Sequence, residues 1–164
     1  MPQYMVDTDT VSFALRGHGR VVARILEHRP SALSISSITL AELRFGAEAR
    51  RSRKLHHLIS TFVESVPVVA FDQRAADQFA TVAPSLARRG EPIGTFDTLM
   101  AAHALSLGLT FVTNNTQHFR RVVGLKTENW VWRRGHRTAG SSGPARSRPL
   151  GLSVKRPWCR DAMA

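Results

Sequence analysis

Gly94-Thr95-Phe96-Asp97-Thr98-Leu99-Met100-Ala101-Ala102-His103-Ala104 places one carboxylate at the head of a small-residue, strongly helical run. The run is apolar almost all round, so a helix built from it has to be buried completely. Thr95 or Phe96 is expected as the N-cap. That puts Asp97 in the first turn, where free backbone N–H groups and the positive end of the helix dipole favour an anion. An acid at such a position either stabilises the helix end or holds a ligand, and this stretch by itself leaves both readings open.

Working outward, Gly108 should end this helix, and Leu109-Thr110-Phe111-Val112-Thr113 reads as a strand. Asn114-Asn115-Thr116 stands at the carboxyl end of that strand. A short helical segment from His118 to Val122 follows, then an edge strand over Thr127 to Val131. On the other side, Asp72 should cap a long helix running to Arg88-Arg89-Gly90, with Ala75, Ala76, Phe79, Val82, Ala83 and Leu86 as its apolar stripe. Pro84 is expected to kink it, and Gly90 suits the position just past its end. Pro67 to Phe71 is β-branched and apolar enough for the inside of a parallel sheet. Lys54 to Val63 reads as helix. Ala32 to Ser36 is a strand that runs into a helical Ser37 to Glu48. At the start, Tyr4-Met5-Val6 is a strand ending in the polar Asp7-Thr8-Asp9-Thr10. Helices over Val11 to Leu15 and Val21 to His28 come next, broken at Gly17 and Gly19 and ended by Pro30. Strand alternating with helix predicts a parallel α/β sandwich.

A chain of 164 residues accommodates one domain with a real core and is too short for two ordinary ones. Its 43% hydrophobic and 21% charged content fits a soluble globular protein. No apolar run approaches the ~18 residues that span a bilayer, which gives no expectation of a membrane association. No basic, then apolar, secretory signal opens the sequence. Cys159 is the single cysteine, which excludes an intrachain disulfide and a multi-cysteine metal site and points to the reducing cytoplasm. The net charge of +11 is uneven: from Arg133 onward eight basic residues face Asp161 alone, so this stretch contributes +7. Residues 133–164 are rich in Gly, Ser, Pro and Arg and lack apolar periodicity. They read as a disordered basic extension to a domain over residues 1–132. Both parts are basic and suit a polyanionic partner such as nucleic acid.

Three acids fall at comparable places: Asp7 at a strand end, Glu42 early in a helix and Asp97 at a helix start. In open α/β sheets the carboxyl ends of the strands are where ligands bind, and a parallel sheet can bring such positions to one edge. Thr39-x-x-Glu42 also matches a capping box, in which Glu42 would only reach back to the helix start. Three neighbouring carboxylates repel one another unless protons or a cation neutralise them. Oxygen-only donors suit Mg²⁺, or Mn²⁺ in its place, and such a site hydrolyses phosphodiesters by acidifying a bound water and neutralising phosphate charge. The sequence has no Gly-rich phosphate-binding loop, which weighs against a phosphatase or nucleotide hydrolase using the same acids.

Four blocks carry a resemblance. Met5-Val6-Asp7-Thr8-Asp9, Ile35 through Ala47 with Glu42 within it, Ile93-Gly94-Thr95-Phe96-Asp97 through Ala104, and Val112-Thr113-Asn114-Asn115-Thr116-x-x-Phe119 resemble a PIN-domain ribonuclease, and more narrowly the VapC-type toxins of type II toxin–antitoxin pairs. The resemblance covers about residues 3–132. It implies a PIN-like three-layer sandwich with a central, mostly parallel sheet flanked by helices. It further implies a Mg²⁺-dependent endoribonuclease, a homodimer, and a small cognate antitoxin that blocks the acidic pocket. Asp7 and Asp97 match the family's main metal-holding aspartates and Glu42 its third acid, so all three are the expected catalytic and metal residues. Asn114 and Asn115 stand where many PIN domains have a fourth acid. The Asn115 amide is a candidate metal contact without charge, and a noncatalytic RNA- or partner-binding PIN domain is the alternative. Asp9 replaces the Asn that many relatives have after Asp-Thr, as an extra acid or as a helix cap.

Other conspicuous residues receive plainer readings. Thr8 and Thr113 either hydrogen-bond a ligand carboxylate or phosphate or cap helices. His103 is expected as a packed, hydrogen-bonded core histidine, and His56-His57 as surface. His118 follows the Asn-Asn-Thr turn and is a candidate RNA contact. Arg44, Arg120 and Arg121 are candidate phosphate contacts on a solvated surface. Trp130 and Trp132 are expected to pack the edge strand.

Overall fold

A parallel strand is covered on both faces, and the short strands of this chain meet that requirement. In the computed structural model, which describes residues 1–131, Met5, Val6, Phe111 and Val112 are buried, as are all four residues of Leu33–Ser36. The expectations for Trp132 and for the basic extension after it lie outside the described residues. The strands are β1 (Tyr4–Val6), β2 (Leu33–Ser36), β3 (Val68–Val69), β4 (Thr110–Val112) and β5 (Thr127–Glu128). The helices are α1 (Thr8–Leu15), α2 (Gly19–Leu26), α3 (Ser37–Ala49), α4 (Arg53–Ser65), α5 (Gln73–Arg88), α6 (Thr95–Ser106) and α7 (Thr116–Phe119), with a 3₁₀ turn over Pro30–Ala32.

The sheet runs β3-β2-β1-β4-β5 and every neighbouring pair is parallel, with Tyr4 opposite both Leu33 and Thr110. Successive side chains of one strand face opposite layers. Met5 and Phe111 accordingly join a core with α5, α6 and α7 through Val82, Leu86, Met100, Ala101 and Phe119. Val6 and Val112 face the other core, with Leu43, Ala47 and Ile59 of α3 and α4 and with Trp130. The expected three-layer sandwich is therefore present. Its strand order reverses between β1 and β4, which makes their carboxyl ends the switch point of the sheet. Among the described residues no helix is long and apolar enough to cross a membrane.

Several boundaries differ from the sequence reading. The first helix begins at Thr8 rather than Val11, because Asp7 itself caps it. Gly19, expected as a breaker, opens α2, since the first residues of a helix have no intrahelical N–H bond to lose. β3 is an edge strand with Val68 exposed, not an inner one; β-branched residues suit a pleated surface whether or not a neighbour follows. The helical segment after β4 covers Thr116–Phe119 and not His118–Val122. α5 runs as helix through Pro84. The N-cap of α6 is Gly94, at φ 88° and ψ 151°, a conformation open essentially to glycine alone. Neither Thr95 nor Phe96 takes that place.

α3 ends on a Schellman motif, with Arg51 N–H bonded to Glu48 O at 2.8 Å and Ser52 N–H to Ala47 O at 3.0 Å. The residue at its left-handed position is Arg51, at φ 49°, where glycine carries no Cβ penalty. Arg51→Gly should raise stability by about 1 kcal/mol, read as a higher urea midpoint at unchanged slope. An unchanged or lower midpoint would mean that the arginine side chain makes up for its backbone.

Candidate active site

β1 ends at Asp7, whose backbone N–H continues the ladder to Val112 O at 3.0 Å. Its side chain turns back as the cap of α1, Oδ1 accepting from Thr10 N–H at 2.7 Å. The residue is only 5% exposed. Burial pushes its carboxyl up to about 7. Hydrogen bonds from Thr10 and Thr113 pull the other way, and the nearby Asp9 carboxylate adds to the rise. Asp9 itself is exposed in the first turn of α1.

The cap of α3 is Ser36, whose Oγ accepts from Ile38 N–H at 3.1 Å. Thr39 and Glu42 are therefore already inside the helix, and the capping box does not form. Thr39 Oγ1 instead contacts Met100 Sδ of α6 at 3.2 Å. Glu42 Oε2 accepts from Thr8 Oγ1 at 2.5 Å, so the residue following Asp7 holds the second acid. Thr8 Oγ1 also lies 3.8 Å from Met100 Sδ, which makes Met100 the point where α1, α3 and α6 meet. Of the two readings open for Thr8 and Thr113, Thr8 bonds a site carboxylate, whereas the Thr113 hydroxyl accepts from the N–H of Asn115 at the start of α7.

Asp97 occupies the first turn of α6 and is largely buried. His118 Nε2 of α7 lies 3.3 Å from its Oδ2 and 2.8 Å from Ile93 O. Asn115 is exposed at the N-cap of α7, its N–H bonded to Thr113 Oγ1 at 3.1 Å. Asn114 is engaged elsewhere, its O accepting from Asn129 Nδ2 at 3.1 Å. The contact of His118 with Asp97 had no signal in the sequence: the two residues meet only once α6 and α7 are docked on the sheet.

The remaining residues follow their plainer readings. His103 is fully buried with Nδ1 2.9 Å from Ser36 Oγ, while its Nε2 has no hydrogen-bond partner among the described residues. Burial lowers its pKa. His56 pairs with Glu48 near the surface at 3.1 Å. Arg44, Arg120 and Arg121 are exposed, and Trp130 is buried in the core.

Among the described residues no group of three His, Cys, Asp or Glu side chains stands together in a way that could hold a metal ion, so Asp7, Glu42 and Asp97 are not gathered into a ready three-acid site. Mg²⁺ does not require one. It keeps several waters and is usually held by one or two carboxylates plus substrate phosphates. The donors are of the right kind, being carboxylate oxygens at the switch point. Asp7 is a buried acid acted on by two threonines and a further carboxylate, an environment in which a cation would stabilise the ionised form. The donor chemistry, carboxylate oxygen, suits the ion.

A parallel sheet in 3-2-1-4-5 order with Asp7 at the β1/β4 switch point defines an open α/β domain whose ligand edge carries an acid. The family described as PIN domain matches residues 4–125. A Shigella flexneri protein named tRNA(fMet)-specific endonuclease VapC is 38% identical over 131 residues, spanning 79% of this chain and 99% of its own. Ribonuclease VapC2 of Haemophilus influenzae is 33% identical, spanning 80% of this chain and 100% of its own. Among solved structures, the DNA-bound VapBC of Salmonella typhimurium superposes with a TM-score of 0.72 at 35% identity, over 79% of this chain and 99% of that one. The chain belongs to the PIN-domain family, within its VapC group.

The folded protein binds the Asp7 proton more tightly than the unfolded chain does, since the carboxyl is raised from 3.8 to about 7. Its stabilising contribution is therefore complete below about pH 4 and is lost as the pH rises through about 7. Thermal melts in chelator should show Asp7→Asn, which keeps an N-cap acceptor, gaining on the wild type between about pH 4 and about pH 7, by on the order of a few kcal/mol. Parallel pH profiles of the two proteins would refute the assignment.

Proposed function

We propose that this protein is a Mg²⁺-dependent endoribonuclease that acts as the toxin of a toxin–antitoxin pair. The observation that carries the reading is the Thr8–Glu42 hydrogen bond beside buried Asp7, at the sheet's switch point, in a chain of the VapC group. Asp7, Glu42 and Asp97 would hold the ion, with the exposed Asn115 amide as an uncharged further contact. Mn²⁺ offers the same oxygen-seeking chemistry. Bound there, Mg²⁺ would supply a water acidified to a nucleophile and neutralise charge on the scissile phosphate.

The chain's own residues prepare that chemistry. Burial favours the protonated form of Asp7 and the hydrogen bonds from Thr10 and Thr113 offset it only in part, so a cation would supply the stabilisation its ionised form lacks. Thr8 fixes the Glu42 carboxylate through one of its oxygens. Exposed Arg44, Arg120 and Arg121 would meet RNA phosphates, contacts that position substrate without reading its sequence. A small antitoxin covering the acidic edge, and a homodimer, complete the reading. The structural neighbours are named as VapBC assemblies, which supports a protein partner here.

A second reading, a noncatalytic RNA- or partner-binding PIN domain, is favoured by one feature: Asn114 and Asn115 stand where many PIN domains have an acid. Cleavage of a mixed cellular RNA pool by purified, antitoxin-free protein separates the two. With Mg²⁺ present, Asp97→Asn and Glu42→Gln should each lower discrete cleavage at least about a hundredfold while remaining folded, and chelator should abolish it. Loss in Asp97→Asn alone would return Glu42 to a structural role. A wild type that cuts no RNA with Mg²⁺ or Mn²⁺ would leave the binding-domain reading.

A further inference from the structure

We propose that His118 is the positioning residue for Asp97, holding its carboxylate in place for the metal; this rests on the metal-site reading above. Its Nε2 lies 2.8 Å from Ile93 O. A carbonyl oxygen only accepts, so Nε2 carries a hydrogen, and this holds whether the ring is neutral or charged. The same nitrogen is 3.3 Å from Asp97 Oδ2. One N–H edge thus faces both the loop that delivers α6 and the acid in its first turn.

Asp97 gains more from this hold than another first-turn acid would. The joint in front of it is Gly94, at φ 88°, with nothing within 4 Å of where a Cβ would stand. Buried Ile93 and the bonds from Thr98 to Gly94 O fix the entry of the helix on one side. Further definition comes from ties across to the segment after β4. His118 takes Ile93 O, Arg121 Nη1 reaches Pro92 O at 3.5 Å, and Arg89 bonds both Glu91 and the Arg121 carbonyl. The imidazole is itself held by the ring of Phe119, edge-on at 5.7 Å, and Phe119 packs on Phe111 of β4 at 4.8 Å. A chain of contacts runs from the central sheet through Phe119 and His118 to Asp97.

Outer partners of metal ligands typically contribute 10–100-fold to metal affinity, by orienting the ligand before the ion arrives. The test is Mn²⁺ binding to the full chain without RNA, with free Mn²⁺ counted by its electron paramagnetic resonance signal. His118→Ala should weaken binding about tenfold or more. His118→Gln, which also ends in an N–H donor, should recover most of it. In an Asp97→Asn background, His118→Ala should change little, because the two residues act as one unit. Equal Mn²⁺ affinity in wild type and His118→Ala would overturn the proposal. So would a His118→Gln variant as weak as Ala with an unchanged melting temperature, or an undiminished effect of His118→Ala beside Asp97→Asn. No Mn²⁺ binding by the wild type would instead remove the metal-site reading, and this inference with it.

Discussion

The hydrogen bond from Thr8 to Glu42 joins positions 34 residues apart, and much of the candidate site follows from what it requires. β1 has to stop at Val6, so that Asp7 turns into a cap and Thr8 rises beside it. α3 has to start at Ser37, which carries Glu42 to its second turn rather than to its end. Both conditions are met by local chemistry. Asp7 and Ser36 are each side-chain caps at the carboxyl end of a parallel strand, so strand end and helix start coincide at each. The sheet then sets β1 and β2 side by side, and the two helix starts bring an aspartate and a glutamate to one edge.

The fold could be read in the sequence because its signals are local. Strand alternated with helix, and Asp72, Gly90 and Gly108 stood where caps and terminators belong. Where the reading failed, it had weighed a local pattern that packing overrode. Thr39-x-x-Glu42 has the form of a capping box, yet Ser36 is also a good cap and lies where the chain leaves β2. Val68 and Val69 have the composition of an inner strand, and composition does not say whether another strand follows. Side-chain capping favours Thr95 at the start of α6, whereas this helix start depends on the backbone conformation of Gly94.

The acids of the site were visible as residues, and their supports were not. Asp7, Glu42 and Asp97 could be named from position and resemblance. The sequence leaves Thr8 equally a cap or a ligand partner and offers His118 only as a candidate RNA contact. A hydroxyl or an imidazole has several uses, and only the docking of α1 on α3 and of α7 beside α6 selects among them. Burial of Asp7 was likewise out of reach, since a strand-end residue is as often wet as dry. The raised carboxyl follows from layers closing over both faces of a three-residue strand.

His103 sits in α6 two turns beyond Asp97, fully buried, with Ser36 at one ring nitrogen and no partner among the described residues at the other. A neutral imidazole tolerates this, since one of its nitrogens is only an acceptor. The charged ring has two donors, so protonation would add an unsatisfied buried N–H to the cost of an enclosed charge. Because burial lowers its pKa, the contribution of His103 to stability is complete above its ordinary value and lost as the pH falls. Asp7 works in the opposite sense. The ion-free fold is thus squeezed between two buried groups of the same interior, one resisting proton uptake and the other proton loss.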